Sequence, residues 1–197
     1  MDEPGGVHPP ALPADLLGPR VRLRPYGPDD APAVWAALRE SGDHLFRWLP
    51  WLAGFRSEAD VRERLAGVRR HWEARQQPVN YAVVDRATGA FLGDCGFTKV
   101  DWANRVFELG YWLRRSAEGR GYMREAAALL TDLALGALGA ARVEIRTKPE
   151  NTRSRRVAEA LGFTEEGTAP GTGGDTSAVD VVYALTPDRR RQRGGSR

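Results

Sequence analysis

Two glycines, Gly119 and Gly121, close a strand-like run, Val106 to Leu113, and open a helical one that begins at Tyr122. Glycine lets a backbone take positive φ and come close to a ligand. Unpaired N–H groups at a helix start attract a phosphate, helped by the helix dipole. Residues 119–123 therefore read either as a seat for a pyrophosphate or as a tight turn without a ligand. Two common phosphate motifs do not fit. A P-loop needs a Gly-Lys pair, and the chain has none; a dinucleotide fingerprint needs glycine at position 124, which is Arg124. Glu108 is a lone carboxylate in an apolar strand. Alternation puts it with Gly110 and Trp112, opposite Phe107, Leu109 and Tyr111. It either faces a substrate cleft and acts through water, or pairs with an arginine. Cys95, the single cysteine, lies among apolar residues and reads as an inert core thiol. His44 and His71 have no metal-ligand spacing, and no metal is expected.

The elements that must position these residues follow from periodicity and caps. Val21 to Arg24 alternates as a short strand. Asp29 and Asp30 offer an N-cap to a helix over Ala31 to Glu40. Ser41 to Phe55 reads as an aromatic-rich loop. Ser57-x-x-Asp60 is a capping-box pattern, and the helix after it puts Val61, Leu65, Val68 and Trp72 on one stripe. Three strands follow, Asn80 to Asp85, Phe91 to Val100 and Val106 to Leu113. The helix from Tyr122 runs to about Leu138, and Arg142 to Thr147 alternates strictly. Asn151 caps a helix that stops at Gly162. A hairpin with a Gly-rich connection closes the domain. A strand–helix–strand unit between Val106 and Thr147 makes its two strands parallel neighbours, so the sheet is mixed.

Composition bounds the rest. The chain has 197 residues, 42% hydrophobic and 28% charged, which fits one globular domain. One cysteine permits no intrachain disulfide and no cysteine metal site. No apolar run approaches the roughly 20 residues of a bilayer span. The start, Met1 to Pro13, lacks the basic and apolar regions of a signal peptide, so a cytoplasmic protein is expected, with no membrane partner. The net charge is +3, but the end of the chain holds Arg189, Arg190, Arg191, Arg193 and Arg197 against Asp188. The remainder is close to neutral, which is not the footprint of a DNA-binding protein. The expected division is a flexible segment 1–17, a domain 18–185 and a basic disordered tail 186–197. The tail is either a solvated end or a weak contact to the ribosome or RNA.

Three motifs occur in order: Glu108-Leu-Gly-Tyr-Trp-Leu113, Gly119-Arg-Gly-Tyr-Met-Arg-Glu-Ala126, and Asn151-x-x-Ser154-x-Arg-Val-Ala-Glu-x-Leu-Gly-Phe163. Together they resemble the GNAT acetyltransferases, in particular the RimJ/RimL-type branch that acetylates protein N-termini. Arg22-Leu-Arg-Pro25 and His44-Leu-x-x-Trp-Leu-Pro-Trp51 fit that branch too. The resemblance covers about residues 18 to 185. It implies an α/β (α+β) fold: a mixed, mostly antiparallel twisted sheet of six to seven strands, about four flanking helices, and a parallel pair splayed at an acetyl-CoA site. The family's phosphate signature, Gln/Arg-x-x-Gly-x-Gly/Ala, falls on Glu118, Gly119, Arg120, Gly121, Tyr122 and Met123, departing at Glu118 and Met123. Glu118 removes a cationic contact with phosphate; main-chain donors are unaffected. By resemblance, Trp112 and Leu113 lie along the pantetheine arm, Asn151 faces that arm, and Ser154 lies near the thioester sulfur.

The implied reaction is direct attack of an amine on acetyl-CoA, with no metal. A main-chain N–H near Leu113 stabilises the charge on the thioester oxygen. Ser154 is the acid by resemblance to the RimL-type branch, because the tyrosine position of many relatives is Ala158 here. The base is Glu108, or Asp175 in place of a late glutamate of that branch, or water. Deprotonating an α-amine of pKa near 8 at pH 7 costs about 1 kcal/mol, against about 4–5 kcal/mol for lysine. A weak base thus suits an N-terminal α-amine. Trp48, Trp51, Tyr111 and Asp175 are the expected acceptor contacts. Two other readings remain open: acetylation of a small amine (polyamine, amino acid or aminoglycoside), and an acyl-CoA-binding module without turnover. Open sheet edges and exposed aromatics are compatible with a homodimer.

Overall fold

The computed structural model describes residues 10–171 and 179–194. Among the described residues eight strands form one sheet. They are β1 (Leu16–Leu17), β2 (Val21–Arg24), β3 (Val79–Asp85), β4 (Phe91–Asp101), β5 (Val106–Leu113), β6 (Arg142–Thr147), β7 (Thr164–Pro170) and β8 (Val179–Leu185). Their order across the sheet is β1-β2-β3-β4-β5-β6-β8-β7. Every pair is antiparallel except β5 and β6. The described residues also form five helices, α1 (Ala31–Phe46), α2 (Glu58–Glu73), α3 (Tyr122–Leu135), α4 (Thr152–Leu161) and α5 (Pro187–Gly194). The expected mixed sheet is present, with one strand more than the upper expectation and one helix more than expected.

The sheet separates two apolar layers. On one face α3 and α4 pack Ala126, Leu130, Ala134, Ala158 and Leu161 against Cys95, Phe97, Phe107, Leu109, Val143 and Ile145. On the other, α1 and α2 pack Val34, Leu38, Val61, Leu65 and Val68 against Ala82, Phe91 and Trp112. The stripe on α2 holds, except that Trp72 at its end turns to Tyr81, edge to face at 4.8 Å, in the first layer. The Ser57–Asp60 capping box forms, and Asn151 Oδ1 caps α4, which stops at Gly162 in the left-handed conformation. Residues Val106–Leu113 and Arg142–Thr147 are strands at the expected bounds and run parallel.

Several expectations are corrected. Asp30 makes no side-chain cap to α1; its carboxylate is held by Arg24 at 2.7 Å and by the Gly27 N–H at 2.6 Å. Helix α1 does not stop at Glu40. It bends at Gly42 (φ 46°, ψ −139°) and continues to Phe46, and Pro50–Gly54 is a 3-10 turn rather than open loop. Helix α3 ends at Leu135, where Gly136 follows, three residues before Leu138. Leu16–Leu17, expected in a flexible segment, pairs with β2. Part of the expected disordered tail is α5, tied back by Arg189 to Glu166 at 2.8 Å and by Arg190 to Asp132 at 2.6 Å. Among the described residues no helix is long and apolar enough to cross a membrane.

Candidate active site

The parallel pair opens a gap. β5 and β6 bond only from Val106–Arg142 to Glu108–Glu144. Beyond that, β5 runs on to Leu113 and stays with β4, while β6 runs on to Thr147 and stays with β8. The main chains of residues 109–113 and 145–147 therefore line a cleft with unspent strand hydrogen-bonding groups, which suits an extended amide-bearing arm. At the mouth of the cleft a 3-10 turn, Arg115–Ala117, leads to Gly119 (φ 75°) and Gly121 (φ 79°). Gly121 is the N-cap of α3, and among the described residues no side chain caps that helix start. N–H groups at an uncapped N-terminus form an anion seat.

The seat is buttressed from β2. Arg20 donates to the Arg120 carbonyl at 2.9 Å and pairs with Glu125 at 2.9 Å. Glu125 also accepts the main-chain N–H groups of Arg20 at 2.6 Å and Val21 at 3.0 Å. Despite its burial, these bonds hold its carboxyl below the usual range. Met123 is buried under the helix start, and the Tyr122 hydroxyl donates to Asp85 at 3.3 Å. Glu118 spends its side chain on neighbours from α1 and α4. Its two oxygens meet His44 at 2.8 Å and Arg153 at 3.2 Å. His44, the first residue of the His44-Leu-x-x-Trp-Leu-Pro-Trp51 motif, thus joins α1 to the phosphate turn.

On the far side of the gap stands the first turn of α4. Asn151 Oδ1 accepts the Ser154 N–H at 3.2 Å, leaving its Nδ2 as the group it can offer to a bound arm. Ser154 Oγ lies 3.2 Å from the Tyr111 hydroxyl, which also donates to the Ser154 carbonyl at 3.2 Å. Burial pushes the Tyr111 phenol well above its ordinary range, more than the Ser154 bond lowers it. Tyr111 was expected at the acceptor; its contact is with Ser154 across the gap. No spacing in the sequence links positions 111 and 154. The alternation that separates Tyr111 from Glu108 was the one available signal.

Trp112 is almost fully buried and stands against Phe91 in the α1/α2 layer, ring centres 5.8 Å apart. Its main chain, not its indole, lines the gap, while Leu113 packs toward the α3/α4 layer. Glu108 does meet an arginine: Arg146 Nε is 3.5 Å from one oxygen, and the Thr98 hydroxyl donates to the other at 2.8 Å. Trp51 is open to solvent, 54% exposed, with Phe55 edge-on at 6.2 Å and Arg64 over its ring at 5.8 Å. Arg47 covers Trp48 at 4.3 Å. Asp175 lies outside the described residues. Cys95 is buried and its thiol is pushed far up by burial, as a core thiol should be.

One carboxylate was missed. Asp94, in the middle of β4, is only 8% exposed. It accepts the Tyr26 hydroxyl at 2.7 Å and Asn80 Nδ2 at 2.8 Å. Burial lifts its carboxyl to about 6, against the pull of both bonds and of the Arg64 charge. The apolar strand around it concealed it, since alternation there predicts a core position.

A family model described as an acetyltransferase (GNAT) domain matches residues 20–164. The chain is 34% identical over 91 residues to p20, an uncharacterized N-acetyltransferase of Bacillus licheniformis; the match covers 46% of this chain and 51% of p20, so about half of that relative's length is spanned. It is 28% identical over 149 residues to YdaF of Bacillus subtilis (strain 168), provisionally named a ribosomal N-acetyltransferase, covering 76% of this chain and 80% of YdaF. RimJ of Mycobacterium smegmatis, solved with a CoA disulfide, is 25% identical and superposes with a TM-score of 0.73, covering 88% of this chain and 89% of RimJ.

Proposed function

The chain belongs to the GNAT acetyltransferase domain family, and from that premise we propose that it moves an acetyl group from acetyl-CoA to the α-amine at a protein or peptide N-terminus. The observation that carries this is the opened β5–β6 gap with a glycine anion seat at its mouth and the Tyr111–Ser154 hydroxyl pair on its wall. The main-chain N–H groups of residues 119–123 hold the pyrophosphate. Strand residues 109–113 and the Asn151 amide hold the pantetheine arm. A main-chain N–H near Leu113 stabilises the thioester oxygen as it gains charge. The amine nitrogen bonds to the acetyl carbon, the carbon–sulfur bond breaks, and the sulfur leaves as thiolate. Ser154 gives that sulfur a proton, and Tyr111 stands behind Ser154 to replace it.

Proton removal from the amine is the weak side of the site. Glu108 faces the α1/α2 side of the sheet, but Arg146 and Thr98 occupy it. A carboxylate so held acts on the amine through water. That arrangement suits an α-amine, which needs about 1 kcal/mol at pH 7, better than a lysine, which needs about 4–5 kcal/mol. The resemblance to YdaF and RimJ points the same way. The acceptor enters under the 3-10 turn, past Trp48 and Trp51. The test is thiol release from acetyl-CoA with peptides beginning in Ser, Ala or Thr. Release is expected from free N-termini and not from blocked ones. Equal release with blocked peptides, or none from free ones while coenzyme binds, sinks the proposal.

A further inference from the structure

Asp94 is a costly residue for a structural role. It is a buried carboxylate with no cation within ion-pair distance among the described residues, and removing such a charge from water is expensive unless it is paired. Its two donors are Tyr26 and Asn80. Tyr26 stays neutral, because burial and the Asp94 charge push its phenol far up. Asn80 cannot titrate. The third neighbour, Arg64 of α2, acts on Asp94 through its charge alone. Asn80 brings a second anomaly. Its amide nitrogen is committed to Asp94, and its Oδ1 is buried without any donor among the described residues. An unmet buried acceptor is rare and costs stability. A charged carboxylate held only by two neutral donors thus sits beside an acceptor that has none.

Their place in the fold says what they await. Asp94 pairs in register with Trp112 on β5, one strand spacing, about 4.8 Å, from the main chain of the gap. It lies on the α1/α2 side of the sheet, with Tyr26, Phe91 and Trp112 forming a chain of rings at 6.3 and 5.8 Å. A carboxylate, an amide oxygen and aromatic rings together are complementary to a donor-rich cation. We infer that Asp94 and Asn80 Oδ1 form the subsite that receives the amino group of the acceptor in its ammonium form. The inference rests on the acetyl-transfer reading for its place beside the gap, yet does not require the acceptor to be a peptide. The ammonium gives two of its three N–H bonds to Asp94 and Asn80 and gains a fixed position next to the gap before it loses a proton to water. Asp94 and Asn80 then act as acceptor-binding residues, separate from Ser154 and Glu108.

The experiment is calorimetric titration of the full chain saturated with CoA, a dead-end complex, so that no turnover is needed. The probes are a serine-starting peptide, the same peptide with its N-terminus acetylated, and spermidine. The wild type is expected to bind a free amine and not the blocked peptide. Asp94→Asn, which keeps the shape and removes the charge, is expected to weaken amine binding at least about tenfold, and Asn80→Leu to weaken it as well, with CoA affinity unchanged in both. Wild-type amine affinity should fall below pH 6, as Asp94 gains a proton, and that fall should be absent in Asp94→Asn. A merely structural Asp94 gives no such limb. Equal amine affinity in wild type and Asp94→Asn overturns the subsite while leaving N-terminal transfer standing. Asp94-dependent binding of spermidine alone supports the subsite and sinks the peptide reading. No binding of any free amine overturns the subsite.

Discussion

At the residue scale the two hydroxyls at the gap carry the account of leaving-group protonation. Ser154 is held by its place on the first turn of α4, and the Tyr111 hydroxyl reaches it from β5 at 3.2 Å. A tyrosine with so raised a phenol gives up its proton only to a strong base, such as the alkoxide left on Ser154 when that hydroxyl protonates the sulfur. General-acid contributions are about 10²–10⁴-fold. Ser154→Ala is therefore expected to lower kcat by about a hundredfold with little change in coenzyme affinity, and Tyr111→Phe to lower it less. Stopped-flow thiol release with a saturating acceptor measures both. A fall in coenzyme affinity alone, with kcat kept, assigns the pair to binding instead. Motifs in the sequence single out Ser154, Asn151 and Gly121, and the structure sets all three around the gap. Tyr111 and Asp94 were not assigned their partners, because each depends on a contact between positions 43 and 68 residues apart.

At the element scale, the phosphate turn works through backbone shape. Gly121 has φ 79°, and a Cβ there meets Arg20 Nη2 at 3.4 Å. A non-glycine residue in the left-handed region costs about 1–2 kcal/mol. Gly121→Ala is expected to weaken CoA binding by about tenfold, because the strain is relieved by turning the N–H groups of the seat, while a pantetheine lacking the pyrophosphate binds as before. Calorimetry on the two ligands decides it; equal losses for both would move the role of Gly121 to general stability. Local chemistry made β5, β6, α2 and α4 readable, since each has clear alternation or caps. Helix α1 was not readable past Glu40. Gly42 sits there as a chain-breaker, but Ser41 stays tied to the helix through the Ala37 carbonyl at 2.7 Å, and its Oγ accepts the Arg115 N–H at 3.2 Å. Tertiary contact with the phosphate turn overrides the local stop signal. Helix α5 escaped notice for a like reason, since its arginines find partners on α3 and β7.

At the scale of the whole molecule the sheet divides the labour. The anion seat and α4 lie toward one layer, and the 3-10 turn with Trp51, the α1/α2 pair and Asp94 toward the other. The gap between β5 and β6 is where the two meet. Glu118, His44 and Arg153 tie α1, the phosphate turn and α4 together across this gap, so the elements that flank coenzyme and acceptor are braced to each other. The order of elements, with one parallel pair in an antiparallel sheet, was legible because a strand–helix–strand unit has a nearly fixed hand; the extent of the splay was not, since it follows from β5 and β6 choosing different partners. Transfer to an α-amine is tested by mass-spectrometric mapping of the acetyl group on a serine-starting peptide that also holds an internal lysine. Acetyl is expected on the N-terminal nitrogen with the lysine unmodified; acetyl on the lysine with a free N-terminus rules out transfer to the α-amine.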